Sequence, residues 1–516
     1  MKVMLISMPD VVPVVIHEMA LHLPNHGIAC LGGNIDERHD VYLIDLVRKR
    51  NCVTGYLEKT VKKINPALIG LSAMTWQYPT CLAVIRLLKR LLPQVKIAVG
   101  GYHATLMSNE MAISGESEGI DFIVRGEGEE TFRRLVNALD GVGRLDAIPS
   151  LSYKRDGKWI HNGQGPLCDL SRLKLPIRDK RRLTSGYHFM HYKMEVMETS
   201  RGCTRSCNFC SINHMYGCTY RTYPLERILN DLDDIYFNKK TRAVFITDDN
   251  MVLNQKWVMK VCDAIMERNY RNLTLTVQAD CISMANNEMM VKKMSQAGFR
   301  TVFLGIENVS PQNLRTMRKA DIAQEARQAI ENCHRYGIMV IGGLIFGLPD
   351  DDEEAIRRNY NFLKDLDADA SYCQILTPYP RTILRENLIS EGLVTNHNHY
   401  KRYNGLWANV KTRHMEADHL QYTFWYYRQT ALGWWTPSTF ARSQGRSWTL
   451  VWQYIVKPVM KFFTERHTHK IGWEERYQMY IKRLEKMNSF DGLTMSNESC
   501  THESLDQREK EAAGPC

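Results

Sequence analysis

Three cysteines, Cys203, Cys207 and Cys210, lie within the stretch RGCTRSCNFCSINHMYG, separated by gaps of three and two residues. A closed zinc site takes four Cys or His ligands in two short-spaced pairs. His214 could add a fourth ligand, but no second pair accompanies it, so zinc is the weaker reading. Cysteine also packs as a small buried hydrophobe. Three thiols this close together, flanked by Arg201, Gly202 and Arg205, point instead to a metal cluster. Three thiolates can hold three irons of a cubane 4Fe-4S cluster and leave the fourth open, whereas full ligation takes four. An open iron can bind a small molecule and pass it one electron.

The cysteines follow a predicted strand, MEVMETS, the first of a series that continues with AVFITDD, LTLTVQAD, TVFLGIEN, IMVIGGLIFGLP and SYCQILTPYP. Six strands with helical intervals fit a parallel, partly closed (β/α)6 barrel, whose chemistry gathers at the C-terminal strand ends. Polar and glycine residues concentrate there: TDDN, QAD, GIEN, GLPDD and TPYPRT. Ahead of this block, KVMLIS, DVYLIDL, ALIGLSAM, KIAVGG and DFIVRGEG alternate with helix-length segments, which predicts a doubly wound parallel sheet. An Asp156-Gly157 turn between SLSYKR and KWIHN predicts a hairpin, and LKLPIRDKRRL a linker. The expected divisions are residues 1–147, 148–190, 191–385, a mainly helical 386–490, and a polar tail at 491–516 expected to be disordered.

Composition narrows the class. The 516 residues exceed a single core, and 44% hydrophobic with 24% charged residues is ordinary for a folded soluble protein. Fourteen cysteines without a regular framework do not read as a secreted disulfide scaffold. With no signal peptide expected at MKVMLISMPD and no apolar run long enough to span a bilayer, the expected location is the cytoplasm.

The spacing Cys203-x3-Cys207-x2-Cys210, with Phe209 before the last cysteine, resembles the signature of the radical S-adenosylmethionine enzymes. The resemblance implies a 4Fe-4S cluster and S-adenosylmethionine chelated to its open iron. One-electron cleavage would then give a 5′-deoxyadenosyl radical. Asp248, Asp249 and Asn250 stand where that family often carries a Gly-Gly-Glu motif for the methionyl amine. Gln278, Asp280 and Glu307 are expected to contact ribose or carboxylate, and Gly347 and Pro349 to let backbone approach the adenine. A helix cap or solvated loop is the alternative for each.

The N-terminal block, placed ahead of such a core, resembles the cobalamin-binding domain of the cobalamin-dependent subclass through GLSAMT, VGGYHAT and V-x-GEGEET. The expected cobalamin contacts are Ser72, Thr75, Gly100, Gly101, Tyr102, Gly126, Glu127 and Gly128; the hydroxyls donate and the glycines admit close approach. No G-x-G-x-x-G follows the first strand, which disfavours a dinucleotide. The D-x-H-x-x-G motif that supplies a histidine to cobalt is absent, so His103 is not carried over as that ligand and base-off cobalamin is expected. With both cofactors, the resemblance implies methylation of an unactivated carbon.

Seven of ten tryptophans (Trp407, Trp425, Trp434, Trp435, Trp448, Trp452 and Trp473) fall between 407 and 473, where Arg442, Arg446, Lys457, Lys461, Arg466 and Lys470, against the single acid Glu465, leave +5, half of the chain's net charge of +10. This mixture suits peripheral contact with an inner-membrane surface, or equally an aromatic cap on the barrel mouth. The layout resembles hopanoid C-3 methylases and anaerobic magnesium-protoporphyrin ester cyclases, implying a small apolar, lipid-like substrate. A cyclase or ring-rearranging oxidoreductase is the alternative. A flavodoxin or ferredoxin is the expected electron donor, and no nucleic-acid partner is expected, since the basic residues do not form a groove-length footprint. Cys218 and Cys373 are more simply packed thiols, and Cys373, on the sixth barrel strand, is the one candidate for a catalytic thiol.

Overall fold

The structure, a computed structural model, describes residues 1–11, 22–189, 192–430 and 472–490. Trp434, Trp435, Trp448, Trp452, the six basic residues between 442 and 470 and the 491–516 tail lie outside them.

The first sheet contains β1 (Lys2–Ser7), β2 (Asp40–Asp45), β3 (Leu68–Ser72), β4 (Lys96–Gly100), β5 (Phe122–Val124), β6 (Leu151–Arg155) and β7 (Lys158–His161), in the order β2-β1-β3-β4-β5-β6-β7. β1 to β5 are parallel, and the Asp156-Gly157 hairpin extends the sheet antiparallel at β5. Strands covered on both faces read as continuous apolar runs. In β1, Met4 and Ile6 pack with helices Val53–Ile64 and Tyr78–Leu91, while Val3 and Leu5 pack with helices His26–Asn34 and Gly128–Leu139. Helices therefore change face between β1 and β3, and the crevice at those C-terminal ends is where such sheets bind ligands.

The second sheet contains β8 (His188–Phe189), β9 (Tyr192–Met197), β12 (Ala243–Ile246), β13 (Thr274–Asp280), β14 (Phe299–Glu307), β15 (Met339–Phe346) and β16 (Ala370–Ile375), in the order β16-β15-β14-β13-β12-β9-β8. Six of these strands are parallel, with β8 as an antiparallel edge, and the fold is the expected open barrel. The predicted MEVMETS strand differs in one respect: it stops at Met197 and resumes as β10 (Ser200–Arg201), which pairs with β11 (Arg221–Thr222) in a separate two-stranded ladder. That ladder closes the base of the cysteine loop.

The basic linker is more than a spacer. Leu43 N–H donates to Lys180 O and Arg182 N–H to Leu43 O, stitching it to β2. Its side chains reach the barrel, where Arg178 binds Asp231 at 2.5 Å and Arg181 binds Glu195 at 2.7 Å. On the far side, helices Ala417–Thr430 and Trp473–Met487 bury Trp407 and Trp425 with Tyr480 and Leu484 in an aromatic cluster. These two tryptophans thus follow the cap reading, whereas Trp473 is exposed.

The second of these helices returns to the first sheet. Buried Asn488 donates through Nδ2 to Val11 O and accepts from Val11 N–H, both at 3.2 Å, and Arg50 donates to Met487 O at 2.6 Å. Asn488→Ala strands two buried backbone groups and should cost about 1–3 kcal/mol. A lowered thermal midpoint in calorimetry checks this; an unchanged midpoint counts against the bracing role.

Candidate functional site

The cysteine loop is held at its base and middle. Gly202 has φ +88°, and a Cβ there would sit 2.3 Å from Thr219 O, so only glycine fits. Its N–H donates to Asp249 Oδ2 at 2.9 Å. In mid-loop, Asn208 donates through Nδ2 to Thr316 O at 2.7 Å and accepts from Leu384 N–H at 3.1 Å. Cys203, Cys207 and Cys210 are half-buried and line one cavity of about 550 Å³. Burial raises all three thiols, Cys210 to about 12. Clustered thiols whose ionisation is disfavoured without a cation are a donor set that fits iron. His214 is exposed and outside the cavity, so it does not complete a zinc set.

Phe209, Asp249, Asn250, Gln278, Asp280 and Glu307 line the same cavity. Burial, with the nearby charges of Glu198 and Asp248, raises Asp249 to about 6. Asp280 also caps helix Cys281–Asn286 through Ser283 N–H and accepts from Arg205 and Asn250, each at 3.0 Å. Glu307 ends β14 at φ +64°, a left-handed conformation rare for a non-glycine residue. Its Oε1 accepts from Lys319 Nζ at 2.7 Å. Burial works against charge on Lys319, but Glu307 outweighs it and raises the pKa.

Two expectations are corrected here, and Cys373 takes its packed reading. Asp248 faces away from the cavity and accepts from Thr199 N–H and the hydroxyls of Thr199 and Ser200, holding the β9-to-β10 step. Gly347 sits under helix Ala417–Thr430, where a Cβ would meet Leu420 at 2.8 Å, and Gly343, Leu344 and Ile345 line the cavity in its place. Cys373 packs in the barrel core beside Tyr360 and is absent from the cavity wall. Alternation along β16 turns its neighbours Tyr372 and Gln374 into the cavity instead. Lys319, Arg205 and Phe303 also line it and were not read from the sequence. Period-2 alternation could have found Tyr372 and Gln374; no local pattern marks Lys319.

A second cavity, of about 150 Å³, lies at the C-terminal ends of β1, β3, β4 and β5 and is lined by Ser72, Gly100, Gly101, Gly126, Glu127 and Gly128. Gly101 has φ +94°, and a Cβ there would lie 2.7 Å from Ala73 O. At Gly126, φ +68°, a Cβ would meet nothing, leaving bare backbone at open space. Such a cradle at the switch point fits part of a ligand approached by main chain, such as one portion of a cobalamin. Thr75 and Tyr102 are corrected: neither lines this cavity. Thr75 is buried in the turn before helix Tyr78–Leu91. Burial raises Tyr102 well above a normal phenol, in the company of Tyr216, Asp249 and Cys210, toward the cysteine loop. His103 stacks on Tyr78 with ring centroids 4.0 Å apart, and burial lowers its pKa to about 3. It is not in the cavity wall, whereas His26 is.

Between the cavities sits Arg201. It binds Glu127 at 3.0 Å and Glu129 at 2.6 Å from the first sheet, and Glu198 at 3.0 Å from the barrel. Arg221 binds Glu127 at 2.9 Å. His26 Nε2 lies 3.6 Å from Glu198 Oε2 and 3.1 Å from Cys30 Sγ. Burial disfavours charge on His26, but Cys30 and Glu198 outweigh it and raise its pKa to about 10. Three carboxylates thus face two guanidiniums and the His26 ring.

Comparisons with known proteins agree with this geometry. Residues 12–136 match the B12 binding domain and residues 197–363 the Radical SAM superfamily. An uncharacterised methyltransferase of Pyrococcus horikoshii is 30% identical over 398 residues, 77% of this chain and 85% of that protein. The chain belongs to the B12-binding radical SAM enzymes. An anaerobic magnesium-protoporphyrin IX monomethyl ester cyclase of Rubrivivax gelatinosus is 22% identical across 72% of this chain and 67% of its own. A hopanoid C-3 methylase of Methylococcus capsulatus is 28% identical across 59% and 57%. The fold also matches the radical S-adenosylmethionine methyltransferase TsrM of Kitasatospora setae, solved with cobalamin and a [4Fe-4S] cluster, at TM-score 0.62 and 17% identity over 77% of this chain and 76% of that one. The cobalamin-dependent radical enzyme OxsB matches at TM-score 0.64 and 16% identity, over 95% and 75%. The cofactors of this B12-binding radical SAM enzyme are cobalamin, a 4Fe-4S cluster and S-adenosylmethionine.

Two outcomes follow from the site. Because the folded-state pKa of His26 is raised above 6.5, its stabilising charge is complete below about pH 6.5 and is lost as pH rises through about 10. His26→Gln should flatten that part of the stability-against-pH curve in urea titrations; an unaltered curve would show that His26 is uncharged. Cys373→Ser should keep 5′-deoxyadenosine formation at the wild-type rate, and its loss would restore the thiol to the chemistry.

Proposed function

We propose that this B12-binding radical SAM enzyme transfers a methyl group to an unactivated carbon of a small apolar, lipid-like substrate, most closely a hopanoid. The observation that carries the reading is that one loop walls both cavities. Cys203, Cys207 and Cys210 face the larger cavity, and Met215 and Tyr216, a few residues on, face the glycine-lined one. Two reactive groups held on either side of one loop suit a reaction that joins a radical site to a methyl source.

When bound, the cluster with S-adenosylmethionine supplies a hydrogen-abstracting radical, and cobalamin supplies a transferable methyl group. The chain's own residues do the rest. The three cysteines hold the cluster and leave one metal position for the sulfonium ligand. Lys319, fixed by Glu307, offers a cation to a carboxylate, and Asn250 and Gln278 offer amides to an amine or ribose. Phe303 lies edge-on to Phe245 and Tyr372, with ring centroids 6.1 and 6.3 Å apart, an aromatic wall that excludes water beside an apolar substrate. Likeness to the hopanoid C-3 methylase supports the substrate class.

Likeness to the magnesium-protoporphyrin ester cyclase favours a second reading, radical oxidation or cyclisation of a tetrapyrrole or lipid without methyl transfer. A flavodoxin or ferredoxin is proposed as reductant, and exposed Arg205 and Cys218 mark where the cysteine loop meets solvent. Peripheral membrane contact through 407–473 rests on residues outside those described, because Trp407 and Trp425 are committed to the aromatic cluster. Among the described residues no helix is long and apolar enough to cross a membrane.

The test is anaerobic turnover of the reconstituted, cobalamin-loaded enzyme with methyl-labelled S-adenosylmethionine and a hopanoid, read by mass spectrometry beside a Cys203, Cys207 and Cys210 triple alanine variant. Label in the hopanoid, with 5′-deoxyadenosine and S-adenosylhomocysteine formed only by wild type, is expected. Deoxyadenosine without labelled product would favour cyclisation, and neither product would overturn both readings.

A further inference from the structure

The turn Gly126–Glu129 belongs to two structures at once. Its backbone, with Gly126 at φ +68° and Gly128 alongside, lines the glycine-walled cavity of the first sheet. Its side chains bind the barrel. Glu127 Oε1 accepts from Arg201 at 3.0 Å and from Arg221 at 2.9 Å, while Oε2 accepts from Arg221 at 3.1 Å and from Cys168 N–H at 2.7 Å. Glu129 Oε1 accepts from Arg201 at 2.6 Å.

These arginines are the two ends of the cysteine loop. Arg201 lies in β10 and Arg221 in β11, paired directly across the ladder that closes the loop carrying Cys203, Cys207 and Cys210. The loop also contributes Met215 and Tyr216 to the wall of the glycine-lined cavity. A ligand seated in that cavity therefore touches the Gly126–Gly128 backbone on one side and the cysteine loop on another. The charges that hold these two walls together are buried: the side chains of Arg201, Glu127 and Glu129 are 6%, 3% and 6% exposed. Separating them strands charges away from water, so the walls move together or not at all.

We propose that the Glu127, Arg201 and Arg221 cluster couples the two cavities thermodynamically. A filled glycine-lined cavity holds the cysteine loop in its metal-binding arrangement, and a cluster on the three cysteines holds the cavity wall for its ligand. The inference rests on the assignment of cobalamin and an iron–sulfur cluster to these cavities, and goes beyond it in naming the residues that link them. Arg221, which lines neither cavity, is a positioning residue that reaches the cofactors only through other groups, whereas Arg201 also forms part of the glycine-lined wall.

The test is the affinity of the full-length protein for hydroxocobalamin by equilibrium dialysis, with the cluster reconstituted and after it has been stripped by a chelator. Wild type should bind about tenfold more tightly with the cluster, and hydroxocobalamin should raise iron affinity by the same factor, since binding linkage is reciprocal. Arg221→Met and Arg221→Gln, at a side chain 22% exposed that lines neither cavity, are the milder variants should Arg201→Met fail to fold. Both should reduce the coupling to about threefold or less while still binding hydroxocobalamin. Wild-type affinities equal within about twofold, or full coupling kept by both variants, would overturn the proposal. No hydroxocobalamin binding in either form would overturn the cofactor assignment, and this coupling with it.

Discussion

A guanidinium removed from water is stable only among opposing charges, and Arg201 sets the terms for everything around it. Stripping such an ion of solvent costs several kcal/mol, recovered only where geometry and further hydrogen bonds are good. Here each of its donor groups has its own carboxylate: Glu198 on Nε, Glu127 on Nη1 and Glu129 on Nη2. Two of the three come from the first sheet and one from the barrel, so the ion is satisfied only when the two sheets stand in one relation. Glu198 is in turn held well below the usual carboxylate range: burial would raise it, but Arg201 and His26 prevail. The network is a fixed joint, and the cysteine loop begins two residues beyond it.

Parallel sheets bring their chemistry to their C-terminal ends because the strands' own side chains are used up in two apolar layers. What remains at each end is divided by single-residue steps. Asp248 secures Thr199 and Ser200, while Asp249 faces the cavity and Gly202. Cys373 packs into the core, while Tyr372 and Gln374 point inward. One residue of register separates scaffold from site in each case, which is the alternation of an extended chain carried into its last residues.

That division explains what could be read without a structure. The strands were legible because burial on both faces writes them as unbroken apolar runs, as in KVMLIS, and the hairpin because Asp156-Gly157 admits a tight turn. The cysteines were legible from spacing alone. The directions of side chains at strand ends were not, so Asp248 and Gly347 were misassigned, and Thr75 and Tyr102 were expected in a cavity they do not line. Lys319 was invisible because its partner Glu307 lies across a helix, and the Arg201 joint because Glu127 is 74 residues away. Glu127 illustrates the limit: it lines the cavity at the strand ends, but its side chain is engaged by two arginines that no local pattern connects to it.

The C-terminal helix Trp473–Met487 adds a second joint on the opposite side. Its aromatic face buries Trp425 and Tyr480, and just past its end Asn488 ties to Val11 beyond β1 while Met487 receives Arg50. The first sheet is therefore fastened to the rest of the chain at several separated places, among them charges at Arg201, backbone pairs at Leu43, and backbone groups at Val11. A body pinned at two separated points cannot swing open about either without breaking the other. Rigid opening of the sheets would break buried ion pairs at one joint and leave backbone groups unpaired at the other. The joints hold the cysteine loop and the glycine-lined cavity in one relation, which keeps the spacing of the two cavities constant. A radical formed on one side and a methyl source on the other require that constancy, since a carbon radical left waiting out of reach would react with something else.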